Sequence, residues 1–431
     1  MRCVRWSLFT ILGILLVSSS NINWGADHWR TVLQVDARGY HAYLPALLLE
    51  HDPNFGSFEA TERIHATDPD RIYDYRAQVD GKYINKYFLG TALLEAPLFL
   101  AAHGYALATG AQADGWSKPY VVAVNLSAIA WVLIGCWCLG RTLSTYGIAD
   151  STIAFTLFCF VFGTNLFYYI VVAPGMSHAY SFGLCCCILL VGRRYALEPR
   201  AERLPWLLGL LGLIILVRPV NGLVLLALPI VFDTPEQAKL GLRIACRSTS
   251  QLVVGAVVLL FILGLQLGYY RAATGSWFVY SYGEEGFNWT DPHLMDMLWS
   301  YRKGLFVYTP ITLLALAGLW PLWQRSRGAA LAWIGFFLLL TYVLSSWWNW
   351  WYGGSFGSRV YVEYLPLFAL LFGLALHALR GVPKRIFISI ALLLVVVCQI
   401  QTYQARYYRI HWSDMDKDRY WEEFVRIDKL P

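Results

Sequence analysis

From Ser248 to Tyr270 the chain carries no charged residue, and between Asp150 and Arg193 it again lacks Asp, Glu, Lys and Arg. A bilayer core is crossed by about 20 apolar residues, and only helices or closed barrels satisfy their own backbone inside it. Uninterrupted runs of this length leave the helix as the building unit. Composition agrees: 57% of the 431 residues are hydrophobic and 14% charged, against roughly 25% charged in soluble domains. The 19 Trp, 27 Tyr and 23 Phe suit rings lying at headgroup level. A formal charge of +6 without a long basic run argues against nucleic acid as a partner. The nine Cys lie mostly inside apolar runs and form no CxxC pair, so neither a disulfide framework nor a metal motif is present.

The apolar runs predict about eleven spans, near 7–22, 119–140, 150–172, 178–192, 204–217, 220–232, 251–269, 306–323, 329–346, 362–380 and 386–403. Arg2 and Arg5 precede the first, which reads as a retained signal anchor. The run 87–109 is long enough to cross but contains Glu95, Pro97 and His103. Short basic loops face the cytoplasm, and 192–203, 323–328 and 379–385 are such loops. With the N-terminus inside, all three are cytoplasmic only when 87–109 does not cross. That segment is therefore expected to be a juxtamembrane or re-entrant helix on the far face. The expected architecture is all-α: one polytopic membrane domain over 1–431, with outer loops at about 23–118, 270–305 and 345–361 and a polar tail after 403.

Ionisable residues gather on the outer side of this scheme. Asp36 lies just past the first span, in VDARGYHAYLP (35–45), followed by Arg38, Tyr40, His41 and Tyr43. It is either a solvated helix cap or a base placed where membrane meets water. Lys82, Asn85 and Lys86 surround the point where the chain re-enters the apolar phase. A lysine there either snorkels or holds a phosphate as a point charge, and Asn85 can donate to the same anion. His178 opens a helix, where the terminal dipole favours anions, although a lone histidine usually just completes a hydrogen bond. Arg218 interrupts IILVRPVNGLVLL (214–226), and such a residue usually faces a protein cavity or water. Arg359 begins a helix behind the tryptophans and glycines of WWNWWYGGSFGS. Those tryptophans are interfacial anchors first, and the glycines either turn the chain or admit a ligand to the backbone. Glu284, Glu285 and Asp291 sit in the second long loop, solvated or beside an acceptor or metal. No nucleotide P-loop occurs. No motif calls for a cofactor, and the metal requirement stays open.

An aspartate soon after the first span, a tyrosine four residues later, the NKYFLG segment followed by a proline, and arginines at outer turns together resemble the GT-C superfamily of membrane glycosyltransferases. The nearer likeness is to bacterial enzymes using polyprenyl-phosphate sugars, such as aminoarabinose transferases and protein mannosyltransferases. It covers most of the chain as a topology, on short motifs. The resemblance implies a multi-span bundle in the bacterial inner membrane with juxtamembrane helices in the first outer loop and an extracytoplasmic active site. It also implies a polyprenyl-phosphate sugar donor, a glycan, lipid or protein acceptor, and inversion at the anomeric carbon. Asp36 would be the catalytic aspartate, Tyr40 its companion, and Lys86 a lysine near the donor phosphate; Arg218 and Arg359 match more loosely as phosphate-binding cations. Arg38, Lys82, Asn85, His178, Glu284 and Glu285 complete the substrate-binding candidates. Some branches have two adjacent acids where this chain has Asp36-Ala37. Two rival classes are a lipid or solute transporter, with polar groups along a path through the membrane, and a non-enzymatic assembly protein. Convergence of Asp36, Lys86, Arg218 and Arg359 in one outer hollow distinguishes transfer from transport.

Overall fold

The computed structural model describes residues 2–65 and 72–428, so 66–71 of the first outer loop lie outside the described residues. Helix α1 (Arg2–Ser19) continues as a wider turn to Trp24. The outer segment behind it folds into α2 (Asp36–Leu48), α3 (Phe58–His65) and a hairpin of β1 (Arg76–Val79) and β2 (Lys82–Asn85). Asp80 and Gly81 turn that hairpin with positive φ of 49° and 77°, the backbone sense that two-residue hairpin turns need. Helices α4 (Gly90–Thr109), α5 (Lys118–Ser144), α6 (Asp150–Phe162), α7 (Leu166–Val171), α8 (Ser177–Leu197) and α9 (Leu204–Val217) follow. Arg218 is an extended link to a 3-10 run over Pro219–Val231. The amphipathic α10 (Pro235–Arg247) is capped by the Thr234 hydroxyl and leads into α11 (Thr249–Thr274).

Beyond the second outer loop come α12 (Leu294–Trp299), α13 (Leu305–Tyr308), α14 (Ile311–Ala315), α15 (Leu319–Arg325) and α16 (Arg327–Ser345). A 3-10 segment over Arg359–Tyr364 then feeds α17 (Leu365–Ala378), α18 (Gly381–Arg406) and α19 (Lys417–Glu423). Among the described residues eight helices are long and apolar enough to cross a membrane, and 150–162 and 219–231 are shorter apolar helices. Two expected spans are broken. The run 150–172 divides at Gly163–Asn165, where the Asn165 amide turns away to donate to the carbonyls of Phe356 and Ser358 at 3.3 and 3.4 Å. The run 306–323 is split into short helices, and Pro310 and Pro321 withdraw amide donors that a continuous helix needs.

Two ends of the bundle differ in charge. At one, Asp233 receives Arg193 Nη2 at 2.8 Å and Arg325 Nε at 2.9 Å, joining α8, the end of α15 and the link after the 3-10 run. The amide of Cys3 donates to Asp150 at 2.7 Å, and that of Ala149 to His377 at 3.5 Å, bringing the N-terminus and the 379–385 loop to the same end. At the other end lie α2, the starts of α5 and α8, and Arg359. Helix α8 connects the two, since His178 and Arg193 are about 22 Å apart along a helix rising 1.5 Å per residue. Helix α4, itself long and apolar enough to cross a membrane, runs beside α5: the Trp131 indole donates to the Leu94 carbonyl and His103 meets the Tyr120 hydroxyl.

Inside a bilayer the solvent gives helices little reason to associate, so close backbone approach through small residues matters. A Cβ at Gly183 of α8 would lie 2.6 Å from the Trp131 carbonyl oxygen on α5. Backbone cannot swing aside as a side chain can. Gly183→Val is therefore expected to lower the thermal stability of detergent-extracted protein, with overpacking costing about 1–3 kcal/mol; an unchanged Tm contradicts this packing.

Candidate functional site

Asp36 is the first residue of α2, and the residue before it, Val35, holds φ 49°. A β-branched residue at positive φ is strained, and such strain persists only where surrounding contacts enforce it. Here they hold the carboxylate from both sides. Arg359 Nη2 lies 2.9 Å from Asp36 Oδ2, and the Tyr87 hydroxyl donates to Oδ1 at 2.6 Å. Burial raises the Asp36 carboxyl, but the charge of Arg359, the Tyr87 hydrogen bond and the charge of Arg218 together hold it below its ordinary value. Tyr87 titrates well above its usual range, chiefly through burial and the neighbouring Asp36 charge, so its hydroxyl keeps its proton and remains a donor. Its oxygen also meets the Tyr73 hydroxyl at 2.6 Å.

Local sequence explains the access of Tyr87 to Asp36. A Cβ at Gly39 would collide with the Tyr87 ring, so only glycine at that turn of α2 lets the ring lie flat against the helix. Asn85 secures the approach: its amide donates to the Gly39 carbonyl at 2.7 Å while its oxygen accepts from the Tyr87 amide at 3.0 Å. Asn85 is thus a buried brace rather than an anion ligand. Tyr40 lies beside Tyr87, ring centroids 4.7 Å apart, with its hydroxyl 3.4 Å from Ser177 Oγ.

Two further ion pairs surround this one. Arg218 Nη1 lies 3.2 Å from Glu363 Oε1, which also receives His178 Nδ1 at 3.1 Å. Lys86 is paired with Glu285 of the second outer loop, and its ammonium stands 5.3 Å from the Tyr282 ring centroid. Tyr282 in turn feels the charges of Arg218 and Asp36, which links the lysine to the rest of the cluster. Behind Arg359, Lys303 is buried and donates to the carbonyls of Ser355 and Trp412. It thereby ties the polar tail to the glycine-rich turn that carries Arg359. Burial first, and then the charges of Arg359 and Arg302, bring the Lys303 ammonium down to about 7.

Other sequence candidates stand apart. Arg38 points away from Asp36 into a buried pair with Glu62, Nη2 to Oε1 2.7 Å, beneath Trp116. Lys82 and Glu284 are exposed. His178 is a buried partner of Glu363 rather than an open anion ligand. Among the described residues no group of three or more His, Cys, Asp or Glu could hold a metal ion. Sequence reasoning missed Glu363, Tyr87, Tyr282 and Lys303. Glu363 carried a usable signal, an acid in the otherwise apolar stretch YVEYLPLFALL; Tyr87 and Tyr282 carried none.

An apolar groove of about 650 Å³ opens next to the cluster, lined by Phe88, Leu216, Leu263, Leu267, Phe278 and Tyr280 among others. Its walls adjoin two charged positions and a tyrosine of the cluster: Phe88 follows Lys86 by two residues, Leu216 precedes Arg218 by two, and Tyr280 precedes Tyr282 by two.

No family model and no curated protein matches the chain. Among solved structures it is similar to the archaeal oligosaccharyltransferase AglB from Archaeoglobus fulgidus, in complex with an inhibitory peptide and a dolichol-phosphate, at 10% identity and a TM-score of 0.47. AglB has the GT-C fold. The similarity covers 99% of this chain and 60% of that one, so this chain spans about three fifths of the length of that enzyme.

The sign of the Asp36 shift gives a test. A carboxyl held below 3.8 in the folded state contributes stability that is present above that value and fades as pH falls through the lowered folded value. The Tm advantage of wild type over Asp36→Asn should be largest near neutrality and shrink below pH 3.8. A gap that does not vary with pH contradicts the pairing.

Proposed function

We propose that the protein is a membrane glycosyltransferase that moves a sugar from a polyprenyl-phosphate donor to an acceptor hydroxyl on the extracytoplasmic face. The observation that carries this reading is Asp36, held between Arg359 and Tyr87 at the end of the bundle opposite the basic loops, within reach of the Arg218 charge. Charged groups gathered at one end favour transfer over transport, which needs polar groups along a path.

In the reaction the acceptor oxygen bonds to the anomeric carbon as the bond from that carbon to the phosphate oxygen breaks. The electron pair leaves with the phosphate, the configuration inverts, and the acceptor proton passes to Asp36. Arg359 and Tyr87 make Asp36 a weak base. A weak base suffices when the proton moves late, because an oxygen bonding to an electron-poor carbon becomes acidic; such a base typically contributes 10²–10⁴-fold. The phosphate gains negative charge as it departs, and Arg218 and Lys86 are placed to stabilise it. Lys86 must first leave Glu285. The apolar groove beside both cations suits an isoprenoid chain, and the membrane presents the lipid donor in one orientation.

Orientation follows from the charge asymmetry. On this reading the basic loops are cytoplasmic and the Asp36 end lies outside. Cys246 of α10 is exposed and near the basic end. A membrane-impermeant maleimide should label it, in a Cys3→Ser background, in inverted vesicles and not in right-side-out ones, while Glu284→Cys in a background with Cys3 and Cys246 both replaced by Ser should behave oppositely. The reverse pattern refutes the orientation.

The activity test uses purified protein, a polyprenyl-phosphate sugar and extracted envelope acceptors. Asp36→Asn should lose about 10²–10⁴-fold in transfer rate while still binding the lipid phosphate. Lys86→Ala should raise the donor KM. An Asp36→Asn enzyme with wild-type turnover removes the base from the mechanism.

A further inference from the structure

Glu363 takes no part in the transfer step, yet it is fully buried at 0% exposure. It lies one turn after Arg359, on the 3-10 segment Arg359–Tyr364. Its neighbours all converge on one oxygen. Oε1 accepts from His178 Nδ1 at 3.1 Å, Arg218 Nη1 at 3.2 Å and Asn221 Nδ2 at 3.5 Å, whereas Oε2 is buried without a partner. Stability does not explain such an arrangement. A buried ion pair is often no better than apolar packing of the same shape, and an orphaned buried oxygen is a cost.

The arrangement does define a direction. Arg218 sits on an extended link between two helical segments, so no regular backbone fixes its long side chain. Glu363 Oε1 accepts from it at Nη1, 3.2 Å away, and His178 Nδ1 stands 3.4 Å from the same nitrogen without accepting from it. Among the described residues its Nε and Nη2 have no recorded partner, and the side chain keeps 17% exposure. Its charge reaches Asp36, Tyr40 and Tyr282. A planar guanidinium gripped at one corner turns its remaining donors the other way, as a fork able to take two oxygens of a phosphate. His178 Nδ1 donating to Glu363 fixes the carboxylate, and Asn221, itself bonded to Ser181 Oγ and the Tyr364 hydroxyl at 3.1 and 3.3 Å, holds it from a third side.

We propose that Glu363 and His178 are a positioning pair that aims the free edge of Arg218 at the phosphate of the lipid-linked donor, an inference that rests on the transferase reading. Because Arg359 and Glu363 share one turn of backbone, the same segment orients Asp36 and aims the phosphate ligand.

Binding of undecaprenyl phosphate to the full-length protein in detergent tests this without a sugar or an acceptor. Glu363→Gln keeps the shape and removes the charge. It should weaken binding about 10-fold, the low end of what losing an outer partner of a ligating group costs. The decisive readout is non-additivity: Glu363→Gln combined with Arg218→Ala should bind no more weakly than Arg218→Ala alone, because both act through one guanidinium. In transfer assays Glu363→Gln should raise the donor KM and leave the acceptor KM unchanged, and Glu363→Asp should recover part of the loss. Should Glu363→Gln fail to fold, His178→Gln is read on the same cycle. Wild-type affinity in the folded variant, or losses that add to that of Arg218→Ala, overturns the positioning role alone. A wild-type protein that does not bind the lipid phosphate overturns the transferase reading and this inference with it.

Discussion

The three carboxylates of the cluster around Asp36 must be compensated, and the site is organised around how that is done. A charge drawn out of water is costly unless it is paired and hydrogen-bonded. Asp36 is matched by Arg359, Glu363 by Arg218, and Glu285 by Lys86. Each pair joins segments far apart in the chain, so the pairs also fix how α2, the link after α9, the second outer loop and the start of α17 meet. Sign alternates within the cluster, and the turn from Arg359 to Glu363 supplies one partner to each of two pairs. A rigid site assembled from distant segments is what positioning a reaction requires.

The same pairing makes the site responsive. Lys86 is held by a loop residue, and its carboxylate partner is partly exposed, so in the proposed reaction an incoming phosphate competes with Glu285 rather than meeting a bare ammonium. Arg359 is engaged differently: Nη2 pairs with Asp36, while Nε is buried without a hydrogen-bond partner among the described residues. Arg359 thus holds the carboxylate, and its part as a phosphate-binding cation belongs to the proposed transferase. Arg218 and Lys86 are paired as well, with Glu363 and Glu285, and each lies two residues from a residue that lines the groove.

Much of this was legible in the sequence. Long uncharged runs announced membrane helices, and the positions of Asp36, Lys86, Arg218 and Arg359 stood out as charges at the edges of apolar segments. Their convergence could be suspected from a shared face. What stayed hidden was partnership. Arg38, two residues from Asp36, looks equally fit for the site, yet the helix turns it by about 200° into a pair with Glu62. Glu363 was passed over because it falls where an expected span begins, although an acid in an apolar run is a functional signal by itself. The broken helices were missed because hydropathy averages over short gaps: Asn165 and Pro310 each interrupt a run that still looks continuous in composition. The hairpin carrying Lys82 and Asn85 left only the Asp80–Gly81 turn as a clue.

The proposed transferase depends on where a lipid-borne phosphate binds relative to Asp36. An electron cryomicroscopy map of the protein with undecaprenyl phosphate decides it. The phosphate is expected against Arg218 and Lys86, with the prenyl chain in the groove beside Phe88 and Phe278, Glu285 withdrawn, and Asp36 still joined to Arg359. Phosphate density among the basic loops near Arg193 and Arg325, or Asp36 and Arg359 apart and facing different compartments, would contradict it.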